Sequence, residues 1–202
     1  MPELTDYSGP YKHDLKWDDF SKDFLVELMK YWQKMYMRMS GLWMGEVEEE
    51  YGPRVAEDFA LSVFKKVGER LVPKLANIGN IQLNTVLDSL KLNQLVPDGT
   101  TGGGAGEAAG KAGIETSGEL FRIKLDIKNE NHAIMTCEYC RVLEALERDN
   151  QTERIKWQCG ILEKEATEKY FVNPKIKVTP IKIGPRESRE EPACVFEFKL
   201  EE

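Results

Sequence analysis

Apolar side chains in the first quarter of the chain return at helical intervals. Phe20, Phe24, Leu28, Tyr31, Trp32, Met35 and Met39 fall on turns of 3.6 residues, and Asp18 or Asp19 stands where an N-cap is needed. With Gly41 just past its end, this predicts a helix that runs to about Ser40. Trp43 and Met44 prolong the apolar run before the acidic stretch EVEEE, residues 46–50. A second helix is marked by Val55, Phe59, Val63 and Val67, with Ala56, Ala60 and Phe64 beside them and Pro53 in its first turn. Shorter helical pieces follow around residues 71–75 and 81–90, the latter with Leu83, Leu87 and Leu90 on one stripe.

The period changes in the second half. ELFRIKLDI alternates, placing Phe121, Ile123, Leu125 and Ile127 on one face of a strand. KNEN turns it into a second strand, HAIMTCE, which sets Ala133, Met135 and Cys137 against Ile134, Thr136 and Glu138. Two helices are expected next, and residues 152–169 put Ile155, Cys159, Leu162 and Ala166 on a single stripe. KIKVTPIKI is a strand with an internal proline, hence an edge or a bulge. After the polar connector PRESREEP comes a last strand, ACVFEFKL, with Cys194, Phe196, Phe198 and Leu200 facing one way. The expected fold class is therefore α+β, an N-terminal helical layer packed on an antiparallel sheet.

Between the halves lies PDGTTGGGAGEAAGKAG, residues 97–113, which holds seven of the sixteen glycines and no aromatic residue. A phosphate loop of the form GxxxxGK[ST] would need glycine at 105 and a hydroxyl at 112; both positions are alanine, and no strand leads directly in. A flexible connector or flap is the better reading. The chain divides into a helical region 1–96, a glycine-rich loop 97–118 and a mixed α/β region 119–202, within one compact domain.

Charge narrows the partners. The formal net charge is −7 and the pI about 5.1, so a nucleic-acid partner, which needs a concentrated basic surface, is not expected. No apolar run is long enough to span a bilayer, and MPELTDYSGPYKHD is no signal peptide. The expectation is a cytoplasmic protein with reduced thiols.

The candidate chemistry is in the cysteines. Cys137 and Cys140 span a junction of strand and helix, with Cys159 on a helix and Cys194 at the start of a strand. Four thiolates converging from these elements would hold zinc, or iron, in a tetrahedral site. A redox or nucleophilic pair is a second option and simple packing a third, since cysteine is readily buried. His132 lies on the opposite strand parity from Cys137, and His13 is isolated, so neither is a good partner for a thiol. Glu46, Glu49, Glu50 and Tyr51 offer carboxylates and a proton donor, or form the wet face of a helix. Four thiolates would close the metal and make it structural; three would leave a position for water and hydrolysis.

The first helix carries more large apolar residues than one stripe requires. Trp32, Met35, Tyr36, Met39 and Trp43, together with Met44, suit the wall of an apolar ligand pocket or a helix buried on several sides, as in a homodimer interface, since Tyr36 and Met44 lie off the stripe.

The C-terminal arrangement of a Cys cluster near a hairpin end, a helix bearing another Cys, a polar connector and a final Cys-x-Phe-x-Phe strand resembles the 4-vinyl reductase domain family. That resemblance implies helices and a sheet around an apolar ligand pocket, a sensor or accessory role, and a cysteine-bound zinc at Cys137 or Cys140, Cys159 and Cys194. The segment WMGEVEEEYGPRVAEDFALSVFKKVG resembles, over residues 46–68, proteins akin to the 2-amino-thiazoline-4-carboxylic acid hydrolase group. It implies the competing function, hydrolysis of a small cyclic amide or thiazoline-like compound by a Cys or a metal-bound water. The glycine-rich insert belongs to neither pattern. The expected function is thus a small-molecule-binding domain with a structural zinc, and whether the chain is an enzyme stays open.

Overall fold

The computed structural model describes residues 3–95, 116–117, 121–166 and 173–201; the glycine-rich stretch 97–113 lies outside them. The fold is α+β, a helical region and an open antiparallel sheet. Helices α1 (Lys22–Tyr51), α2 (Pro53–Gly79) and α3 (Val86–Leu95) precede strands β1 (Thr116–Ser117), β2 (Phe121–Asn129) and β3 (His132–Cys140). Then come α4 (Arg141–Arg148), α5 (Thr152–Ile155), a π-helical turn (Lys156–Leu162), α6 (Glu163–Ala166), β4 (Ile176–Lys182) and β5 (Cys194–Leu200). The sheet order is β1-β2-β3-β5-β4, every neighbouring pair antiparallel, with β2 to β5 forming its body.

One face of the sheet is dry. Ile123 and Leu125, Ala133 and Met135, Phe196 and Phe198, and Ile176 and Val178 alternate inward along their strands. They meet Val86 and Leu90 of α3, Leu143 and Leu146 of α4, and Ile155. Pro180 sits in β4, an outer strand with a register irregularity between Pro180 and Lys182, as the internal proline requires.

A second, smaller cluster joins Val72 and Ala76 of α2 to Leu92 of α3. The remaining step outward is α1, whose chief neighbour is α2. Ala56 and Ala60 of α2 are fully buried, small side chains of the kind that let helices approach closely. Gly52 alone separates the helices at φ 86°, a backbone conformation that disfavours any residue with a Cβ.

The helices differ from the sequence expectation in length. The helix expected to stop near Ser40 continues to Tyr51, and its N-cap is Ser21, whose hydroxyl accepts from the Phe24 amide at 3.2 Å. Gly41 therefore lies inside α1. A helical glycine costs about 1 kcal/mol relative to alanine, which the partial burial of Trp43, Met44 and Val47 offsets. The second helix likewise absorbs the expected short piece at 71–75, running through Pro73. Proline leaves one carbonyl of the preceding turn unpaired, but Val72 and Ala76 on either side are buried and hold the helix together. The third helix begins only at Val86, because Leu83 adopts φ 59° and breaks the run.

Since Phe196 is fully buried at the centre of the sheet's dry face, Phe196→Ala should cost roughly 3–5 kcal/mol. Urea unfolding of the two proteins measures it, and a change below about 1 kcal/mol would contradict this core.

Candidate functional site

A 30-residue helix in a small protein would ordinarily bury a stripe, yet none of the described side chains on α1 is buried. Leu25, Leu28, Trp32, Met35, Met39 and Leu42 recur alternately three and four residues apart, the spacing of a seam between paired helices. Along it Trp32 is 43%, Met35 49%, Met39 60% and Leu42 62% exposed. Tyr36 and Trp43 are partly buried, as are Ser40 and Val47 one turn along. Of the five residues expected to line a pocket, three thus lie on the open seam and two, Tyr36 and Trp43, are partly buried. Leu42 was missed because the helix was expected to end before it; the unbroken three-four spacing across Gly41 was the available signal.

The N-terminal segment braces the start of this seam. Leu4 forms a parallel bridge with Phe20, its amide donating to the Asp19 carbonyl at 2.8 Å and its carbonyl accepting from the Ser21 amide at 2.9 Å. Phe20 stacks on Phe24 with ring centres 4.6 Å apart, and Trp17 meets Trp32 edge-on at 5.6 Å. At the other end Arg154 pairs with Glu48 at 2.5 Å, tying α1 to α5. The acidic run EVEEE is therefore split in role: Glu48 is engaged, while Glu46, Glu49 and Glu50 are exposed.

The cysteines correct the metal expectation. Among the described residues, which include all four thiols, no three His, Cys, Asp or Glu side chains are placed to hold a metal ion. Zinc, iron and the ligand set Cys137, Cys140, Cys159 and Cys194 are thereby overturned, and a metal-bound water as hydrolytic agent goes with them. The sulfurs have other work. Cys137 is buried on the core face of β3, opposite Cys194 of β5, and its thiol donates to the Tyr139 carbonyl at 3.0 Å. The Cys140 sulfur caps α4, accepting from the Leu143 amide at 3.3 Å. Cys159, on the π-helical turn, and Cys194 pack against the same apolar cluster.

Nor does the pair resemble an activated nucleophile. A hydrogen bond with Cys137 and then burial push the Cys140 thiol far above its ordinary value, the reverse of what thiolate chemistry needs. His132 lies on the wet face of the sheet, 2.9 Å from Glu197, away from both thiols.

A buried ion pair closes the far end of the domain. Arg186, its side chain 3% exposed, donates from Nη2 to Glu147 Oε2 at 2.7 Å, and its backbone amide reaches Oε1 of the same carboxylate at 2.7 Å. Burial by itself raises Glu147, but the hydrogen bonds and charge of Arg186 outweigh it and hold the carboxyl below its ordinary value. The adjoining Gly184 passes so near α4 that a Cβ there would lie 2.7 Å from Leu143.

A shallow depression of about 390 Å³ is lined by Asn129, Glu130, Asn131, Leu200 and Glu201 at the end of the sheet, with no residue of α1.

Two measurements check this account. In native protein Cys137 and Cys140 should alkylate far more slowly near neutral pH than in urea-unfolded chain; rapid native labelling of either would restore the nucleophile. Glu147→Gln should cost on the order of 2 kcal/mol at neutral pH, because a buried guanidinium loses its charged partner. The depressed folded-state value means that Glu147 adds stability above its unfolded value of 4.5 and loses it as pH falls through the lowered one. The acid limb of stability, followed by urea midpoint against pH, should therefore be flatter in the variant. Comparison with protein-family models, curated proteins and solved structures finds no match to this chain.

Proposed function

We propose that this protein acts by association: α1 is a docking surface for another polypeptide, and the α/β unit is the platform that presents it. The observation that carries this reading is the heptad-spaced seam of Trp32, Met35, Met39 and Leu42, left exposed along a helix that buries none of its described side chains. A contiguous apolar patch of this kind marks an interaction site more often than an idle surface. Its composition supports the reading, since tryptophan and methionine are enriched where proteins meet.

The thiols support it from the other side. The Cys140 sulfur caps a helix, and its thiol is pushed up by its hydrogen bond with Cys137 and by burial. Cys159 and Cys194 pack against the core, and together this weighs against the hydrolase reading.

A photo-activated crosslinking side chain placed at residue 39 should give protein adducts in the expressing cell. The same group at residue 66, an exposed lysine of α2, serves as the control. Adducts of equal yield at both positions, or none at residue 39, would remove the docking reading.

A further inference from the structure

Resting on that docking reading, we propose that the partner is a second copy of this chain, paired antiparallel along α1 about a two-fold axis near residue 37. The four most exposed positions of the seam are symmetric about that point. Trp32 and Met35 lie as far before it as Leu42 and Met39 lie after it. A two-fold axis there sets Trp32 of one copy against Leu42 of the other and Met35 against Met39, large beside small, and uses one patch twice.

The area fits. Trp17, Trp32, Met35, Met39 and Leu42 expose 58, 43, 49, 60 and 62% of their surfaces. That is on the order of 600 Å² of mainly apolar area, against about 800 Å² per partner in a standard interface, whose remainder is polar rim. The charges choose the direction. Glu46 and Glu49 take the next two positions of the three-four spacing and are exposed. In a parallel pair each would face its own copy across the seam, carboxylate against carboxylate. The antiparallel pair avoids that contact: it sets Glu46 and Glu49 of one copy opposite Leu28 and Leu25 of the other, with Lys30 and Lys22 within a turn of them.

The chain's own glycine-rich stretch is a poor alternative cover. Residues 96–115 bring Val96 and Ile114 as their large aliphatic side chains and no aromatic one, too little to match a tryptophan, two methionines and a leucine.

Sedimentation velocity of the purified full chain over a wide concentration range should show a dimer. Met39→Glu, which puts a carboxylate into the centre of the seam, should raise the dissociation constant about thirtyfold or more. In an equimolar mixture of Met35→Cys and Met39→Cys proteins carrying tags of different size, oxidation should give chiefly the mixed 35–39 dimer. This reports pairing in folded protein even where Met39→Glu fails to fold. A dimer that survives Met39→Glu, or crosslinks only between identical positions, overturns the proposed pairing. A chain that stays monomeric overturns the second copy, and the crosslinker at residue 39 then separates the outcomes. Adducts to a different protein leave the docking reading standing, and no adducts remove both.

Discussion

Ten residues of α3 couple the two halves of this protein. Val86 and Leu90 enter the sheet's core while Leu92 enters the cluster with Val72 and Ala76, so one short helix is buried toward both neighbours. Its polar Ser89 and Asn93 are buried as well, which shows how little of it is free. Of the N-terminal helices it is the one that lies on the sheet itself; α2 lies on α3 and also touches α6, and α1 lies on α2 and is tied to α5 by Glu48 and Arg154. Burial declines along that series, from full burial in the sheet to no buried described side chain in α1.

That gradient separates what holds the fold from what the fold presents. The interior energy sits in the sheet's dry face, in the helices over it and in the Arg186–Glu147 clamp. The cysteines belong to this interior, where a sulfur can cap a helix or fill a gap as readily as it can bind a metal. The helix with the largest side chains stands outside, fixed at one end by the Trp17–Trp32 contact and at the other by Arg154 and Glu48. A rigid helix bearing loosely adaptable methionines is suited to recognition, because its backbone loses little entropy when a partner covers it.

The sheet was legible because alternation is a strict signal. Ala133, Met135 and Cys137 faced inward as their spacing required, and Pro180 marked an outer strand. Helix ends were harder. Gly41 reads as a stop on local propensity, yet contacts many residues away carry α1 over it, and no local rule contains them. Leu83 ends a pattern that looks continuous because a single positive φ is invisible in composition. The metal site failed for a related reason. C-x2-C fixes two sulfurs near each other, whereas the directions in which Cys159 and Cys194 project depend on a π-helical turn and on strand register. The seam was half legible: its residues were named, but whether they faced a pocket, α2 or solvent depends on where α2 packs.

The outer strand β4 has a consequence for how many chains can gather. A bare strand edge is a template that adds copies without limit, each new one offering the same edge again. Here Pro180 has no amide hydrogen to offer, the register breaks beside it, and Lys177 and Lys182 put charge along the rim. Stacking of strands into an open fibre is obstructed at that border, whereas a helix face related by two-fold symmetry saturates once it is occupied. Along this border the sheet resists the one mode of association that carries no limit of its own.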